Sequence, residues 1–208
     1  KETITYLRTN VLPTVVQIRD RFIGVVADDA VVNDKVYGLP LAVYTLAMYY
    51  NRDLLNRAGI AVPPTTRTDF QAAVKRLTYE DAQGQLTQAG GGIGGSDNVR
   101  HAPELLSALM LQNGSELVDA AGRPAFDRIP ANFSTPDYHP GVEALKFYTD
   151  FSTPGRAAYT WNADLPDSLV AFANNQSAFF FGFQSDAAEI AATGKGRVNL
   201  GVARLPQI

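Results

Sequence analysis

The run from Ser177 to Phe183 limits the possible folds more than any other part of the chain. Within it Ala178, Phe179, Phe180 and Phe181 follow one another without a polar residue. Successive side chains of a strand point to opposite faces, so such a run needs apolar cover on both sides. It is far shorter than the ~18 residues of a membrane span. The expectation is an inner strand over Ala178–Phe181 in a sheet that carries helices on both faces, which is an α/β architecture.

The rest of the chain supplies the helices. Ile4, Leu7, Val11, Val15, Ile18 and Phe22 recur at helical spacing over residues 4–24, with an interruption near Pro13. Asn33-Asp34-Lys35 reads as a turn, and Val36–Val43 as an apolar extended run continued by residues 44–50. Asn51 is placed to cap a short helix that stops at Gly59, and Thr66 with Asp69 resembles a capping box. Phe70, Ala73, Val74 and Leu77 then form an amphipathic stripe. Pro103 and Pro140 open further helices, the second expected to bury Val142, Leu145, Tyr148 and Phe151. Residues 116–126 read as a small hairpin. A helix over 167–174 leads into the apolar strand, Ser185 is expected to cap another helix that runs to Thr193 and stops at Gly194, and residues 198–205 form a last strand.

Composition narrows the function classes. The 18 Lys and Arg against 21 Asp and Glu give a net charge of −3, with no dense basic run, which argues against nucleic acid as a partner. With no cysteine there is no thiol catalysis, disulfide framework or cysteine zinc site. With His101 and His139 the only histidines, no metal and no cofactor are expected. Gly90–Gly95 satisfies G-x-G-x-x-G formally, but the next helix begins only near Ala102, so close approach of backbone to another element is the better reading. The carboxylate pairs Glu80/Asp81 and Asp164/Asp167 read as loop and cap residues. Ser96, Asp97 and His101 lack the strained elbow of a nucleophilic serine, so no catalytic residue is assigned. Tyr49 and Tyr50, adjacent in a strand, would diverge and make a poor iron site. Tyr44, Trp161 and Phe183 lie at strand or loop ends beside polar residues. Such rings serve equally well as rim packing or as platforms for a sugar face.

Several stretches then fall in a recognisable order: Val36-Tyr37-Gly38-Leu39-Pro40, Tyr49-Tyr50-Asn51-Arg52-Asp53-Leu54-Leu55 with Ala58-Gly59-Ile60, and Pro63-Pro64-Thr65-Thr66. Ala171–Phe179 with Gly182, and Val202-Ala203-Arg204-Leu205-Pro206, follow later. In that order and spacing the chain resembles the extracellular solute-binding proteins of ABC importers, specifically the maltose-binding-like, carbohydrate-type family. The resemblance implies a periplasmic-binding-protein-like (type II) lobe with a mixed sheet and helices on both faces. It implies this division: residues 1–35 as a helical segment of the first lobe, 36–45 as a crossing strand, 46–201 as the second lobe, and 202–208 as the start of the return crossing. On this reading the chain is about half of a two-lobed protein.

The same resemblance implies a small-molecule solute, a carbohydrate by family, held between lobes and delivered to an ABC permease in the membrane. It implies a monomer outside the cytoplasm, either periplasmic or anchored as a lipoprotein by a preceding segment, and no enzyme activity. A glycoside-active enzyme, an adhesion module and a binder of non-sugar solutes are the alternatives. The ligand-binding residues it points to are Tyr44, Ser96, Asp97, Asn98, Trp161, Phe183 and Gln184. Tyr44 stands in the crossing strand, where maltose-type members place a polar or acidic contact. Phe183 stands near a position where many members present tryptophan.

Overall fold

The structure is a computed structural model that describes residues 13–131, 133 and 137–208. The chain divides after Tyr44 into two compact units.

In the first unit, helix α1 (Val15–Arg21) is followed by α2 (Gly24–Ala30) and a hairpin of β1 (Val31–Val32) and β2 (Lys35–Val36). The expected helix over 4–24 is thus corrected in its described part. Thr14 starts α1, accepting the Gln17 N–H on its hydroxyl while Gln17 Oε1 accepts the Thr14 N–H. Phe22 turns extended and ends α1, and a second helix begins at Gly24. The earlier residues lie outside the described ones. Asn33 and Asp34 both take positive φ, 49° and 55°, as a two-residue hairpin turn requires. Ile18, Ala27, Ala30 and Val31 form a small core. The extended run expected over 36–50 is strand only at 35–36 and 47–51. Tyr37, Leu39, Leu41 and Val43 are exposed. Apolar composition alone does not make a strand without a neighbour to receive its backbone hydrogen bonds.

The second unit runs β3 (Ala47–Asn51), α3 (Arg52–Arg57), α4 (Arg67–Leu77), β4 (Tyr79–Glu80), β5 (Leu86–Gly91), α5 (Ala102–Gln112), α6 (Pro140–Asp150), α7 (Ser168–Ala173), β6 (Ser177–Gly182), α8 (Asp186–Thr193) and β7 (Leu200–Ala203). Its sheet has the order β4-β5-β6-β3-β7. Strands β5 and β6 are parallel and the other pairs antiparallel. All six residues of β6 are buried, and it is the middle strand, as its apolar run demands.

Helices cover both faces. On one, Met48, Phe179 and Phe181 meet Phe70 and Val74 of α4, Leu105 of α5 and Tyr148 of α6. Phe70 stands at the centre, its ring 5.3 Å from Phe179 and 5.5 Å from both Phe181 and Phe151. On the other face Tyr49 and Phe180 meet Leu169 and Phe172 of α7 and Ile190 of α8. Each fully buried phenylalanine contributes ~1.5–3 kcal/mol of apolar burial, so this double-sided packing dominates the stability of the unit.

Three caps follow the sequence, whereas the cap expected at Ser185 is corrected: its backbone is already helical and its side chain makes no capping hydrogen bond to α8. Asn51 accepts the Asp53 and Leu54 N–H groups, Thr66 accepts the Asp69 N–H, and Asp167 accepts those of Leu169 and Val170. Helix α6 departs from expectation. Pro140, Gly141, Ala144 and Tyr148 are buried, whereas Val142 and Leu145 are 41% and 44% exposed. The small residues turn inward because the helix start lies on the backbone of Phe126, where a Cβ on Gly141 would come within 2.0 Å of the carbonyl oxygen.

Candidate functional site

Strand directions bring a particular set of loops to one edge of the sheet. Strands β5 and β6 run together, β3 runs against β6, and β7 runs against β3. The C-terminal ends of β5, β6 and β7 and the start of β3 therefore share an edge. The segments leaving it are residues 92–101, 183–186 and 204–207.

The glycine run explains how the first of these is held. A Cβ on Gly90 would lie 2.5 Å from the Val74 carbonyl oxygen, and one on Gly92 would lie 2.6 Å from Ser168 Cβ. Gly94 has φ +101°, and a Cβ there would lie 2.8 Å from the Ser152 nitrogen. The glycines let β5 and its loop press against α4, α7 and α6, which is the close-approach reading and not a phosphate cradle. Ser152 donates its hydroxyl to the Gly94 carbonyl at 2.9 Å and Tyr148 donates to that of Gly95 at 2.6 Å. Burial pushes the Tyr148 phenol up to about 12.

The seven residues expected at the site separate into groups. Ser96 and Asp97 are exposed, and the Ser96 hydroxyl donates to Asp97 Oδ1 at 2.8 Å. Phe183 is half-buried and Gln184 exposed, both in the turn between β6 and α8. Asn98 is drawn inward. Its amide donates to the carbonyls of Asn162 and Leu165 at 2.8 and 2.9 Å, and its Oδ1 accepts the Trp161 indole N–H at 2.9 Å. Trp161 is fully buried. The ring-covering role expected of Trp161 is corrected accordingly, since neither face of the indole reaches solvent. Asn98, with no N–H left over, holds the loop. Tyr44, 66% exposed, belongs to the first unit.

Sequence reasoning missed two features of this edge. One is the pair of His101 and Asp186, whose Nε2 and Oδ2 lie 2.8 Å apart. With His101 bound there and Ser96 bound to Asp97, these residues form no catalytic triad. The other is a groove of about 680 Å³ lined by Thr45, Leu46, Ala203, Arg204, Leu205 and Gln207 among others. Gln207, one of its lining residues, is anchored: its N–H donates to the Thr65 carbonyl and its carbonyl accepts the Arg67 N–H, both at 2.8 Å. The signal for the groove was present in Val202–Pro206, which the sequence offers as a motif without assigning it a contact.

Among the described residues no group of three or more His, Cys, Asp and Glu side chains is placed to hold a metal ion. Tyr49 and Tyr50 part to opposite faces of the sheet, each joining a different core cluster. No described helix is long and apolar enough to cross a membrane.

Residues 4–208 match the family model described as bacterial extracellular solute-binding protein. A binding protein of Brucella abortus (strain 2308) is 38% identical over 61 residues, which is 29% of this chain and 15% of that protein. Among solved structures, an ABC transporter solute-binding protein from Thermotoga lettingae bound with α-D-tagatose superposes with a TM-score of 0.64 at 24% identity, over 86% of this chain and 43% of that one. UgpB from Mycobacterium tuberculosis, in complex with glycerophosphocholine, superposes with a TM-score of 0.63 at 20% identity, over 97% of this chain and 47% of that one. The chain thus spans less than half the length of these relatives, and at such identities the likeness to the solved structures establishes the fold.

Proposed function

Because the chain belongs to the bacterial extracellular solute-binding protein family, we propose that it contributes one lobe of a binding protein that captures a polyhydroxylated solute, a carbohydrate first of all, for an ABC importer. The observation that carries this reading is that three loops leave one sheet edge, with Ser96, Asp97, Phe183 and Gln184 on them and a groove at the start of β3 and the end of β7 on the same edge. Loop ends at the edge of an α/β sheet are where ligands of such folds bind. Asp97 accepts hydrogen bonds from sugar hydroxyls, Gln184 both donates and accepts, and Phe183 offers a ring to an apolar sugar face. Asn98 acts at one remove by fixing the backbone that carries Asp97. Tyr44 is proposed as a ligand contact of the first unit.

Capture of this kind needs no catalytic group. Differential contacts in the open and closed states of a two-lobed protein let the solute itself shift the population toward closure. Residues 1–35 are assigned to the first lobe, 36–45 to a crossing, 46–201 to the second lobe and 202–208 to the return. The protein works as a monomer outside the cytoplasm, in the periplasm or tethered as a lipoprotein, and hands its solute to a membrane permease. The glycerophosphocholine bound by the mycobacterial structure gives a second ligand class to test, a polyol phosphate diester.

The experiment is a thermal-shift screen of the full-length, two-lobed protein against sugars, polyols, polyol phosphates, peptides and inorganic anions. Sugars or polyols are expected to raise the melting midpoint most. A response confined to peptides or anions overturns the carbohydrate reading, and product formation from an oligosaccharide overturns the non-enzymatic one.

A further inference from the structure

His101 begins α5 with φ +59°, the left-handed region that residues carrying a Cβ seldom adopt. Its side chain makes no capping hydrogen bond to the helix it starts. The ring turns instead to Asp186, with Nε2 2.8 Å from Oδ2. Asp186 is 8% exposed, and a carboxylate so buried persists only when its oxygens are hydrogen-bonded or paired. Its second partner is the Phe183 N–H, which donates to the same Oδ2 at 2.7 Å. Gly182 makes room for this: a Cβ there would lie 2.5 Å from that oxygen. The Phe183 carbonyl in turn accepts the Tyr49 hydroxyl at 2.7 Å. Burial first, and the Asp186 carboxylate second, raise the Tyr49 pKa and keep that hydroxyl a donor. The rings of His101 and Phe183 meet edge-on with centroids 4.5 Å apart.

We infer that His101 is a positioning residue for the rim of the site, holding Phe183 in one orientation through Asp186 and through direct ring contact. The inference rests on the reading that Phe183 faces the solute. Two loops from different strands meet in this contact, the 92–101 loop after β5 and the 183–186 turn after β6. Arg100, the neighbouring cation, is committed to Asp167 at 3.3 Å and Glu189 at 2.7 Å. Among the described residues His101 is the only basic side chain paired with Asp186. A left-handed backbone at a residue with a large side chain is the kind of local strain that persists where the surroundings over-determine it. Here the ring contact and the Asp186 bond supply that determination.

The test needs no solute. In the full chain, His101→Gly removes the ring while relieving the left-handed backbone, and His101→Asn restores a donor on a residue that tolerates that backbone. Amide hydrogen exchange followed by NMR at Phe183 is the readout, and Asp186→Ala, which removes the acceptor itself, sets the released rate. His101→Gly is expected to speed exchange at Phe183 by tenfold or more, toward the Asp186→Ala rate, with Phe179–Phe181 unchanged. His101→Asn is expected to recover most of the protection. Equal exchange in wild type and His101→Gly, or no recovery in His101→Asn, overturns the inference. Phe183→Ala separates the two claims. If it leaves the strongest solute response of the thermal-shift screen unchanged, the site reading falls while the exchange result still decides the role of His101.

Discussion

Asp97 and Asn98 are adjacent in the same loop and of similar size, yet the structure uses them in opposite ways. Every N–H of the Asn98 amide is engaged inside the unit, and its oxygen receives the indole of a tryptophan that no solvent reaches. Asp97 is exposed and, among the described residues, its side chain is bonded to its neighbour Ser96 alone. The loop therefore has an inner half that is scaffold and an outer half left to solvent, the half proposed for recognition. Residue type does not separate the halves; the number of partners left over does, because a polar atom already satisfied in the interior has nothing to offer a ligand.

The sharpest way to break that contrast is at Trp161. Its replacement by alanine empties a fully buried site and leaves Asn98 Oδ1 without its donor, so Trp161→Ala is expected to lower stability by ~3–5 kcal/mol in urea unfolding. A small stability loss with a large affinity loss would place Trp161 on the recognition side. Tyr148, which holds the same loop by the Gly95 carbonyl, gives the next effect. Its phenol is raised to about 12 in the fold, above the ordinary 10.0. The folded state thus keeps its proton longer than the unfolded one. The stability this contributes is complete below pH 10 and is lost as pH rises from 10 through 12, ~3 kcal/mol in all. Unfolding free energies measured between pH 9 and 12 are expected to fall less steeply in Tyr148→Phe, and equal slopes would show that burial does not hold the phenol un-ionised.

On the outer half the expected pattern reverses. Asp97→Ala in the full-length protein should weaken solute binding by ~1–3 kcal/mol in calorimetric titration. It should move stability by no more than ~0.5 kcal/mol. Gln184→Ala, removing one neutral exposed partner, is expected to cost ~0.5–1.5 kcal/mol of binding and no stability. Should either variant chiefly destabilise the fold, the division of the edge into scaffold and recognition halves would be lost.

What could be read from the sequence follows the range of the interactions concerned. The burial of Ala178–Phe181, the caps at Asn51, Thr66 and Asp167 and the stripe on α4 depend on residues a few positions apart, and all are found. The orientation of α6 depends on Phe126, whose backbone occupies the space a side chain on Gly141 would need, and apolar periodicity carries no record of that. The two-helix start of the first unit was hidden for a similar reason, since Phe22 and Ile23 keep the helical apolar period while the backbone between the helices is extended. At the site, an aromatic in a loop beside polar residues reads as a rim ring. Trp161 is packed in the main core, and its indole N–H is satisfied there by Asn98, 63 positions away in the chain. His101 and Asp186 stand 85 positions apart, and nothing local to either announces the other.

The place of β3 in the sheet carries a consequence for how the unit is assembled. Its two neighbours are β6 and β7, both near the end of the described chain, and Tyr49 reaches a carbonyl acceptor 134 positions away. As the polypeptide leaves the ribosome, β3 emerges well ahead of both neighbours and waits, its ladder positions unanswered, until residues 177–182 appear. Contacts of such separation make folding slow and leave apolar strand surface uncovered meanwhile. A chain stopped anywhere before Ser177 would hold a strand with no sheet to join. The backbone of Met48, Tyr49 and Tyr50 is therefore paired only once β6 and β7 have been made.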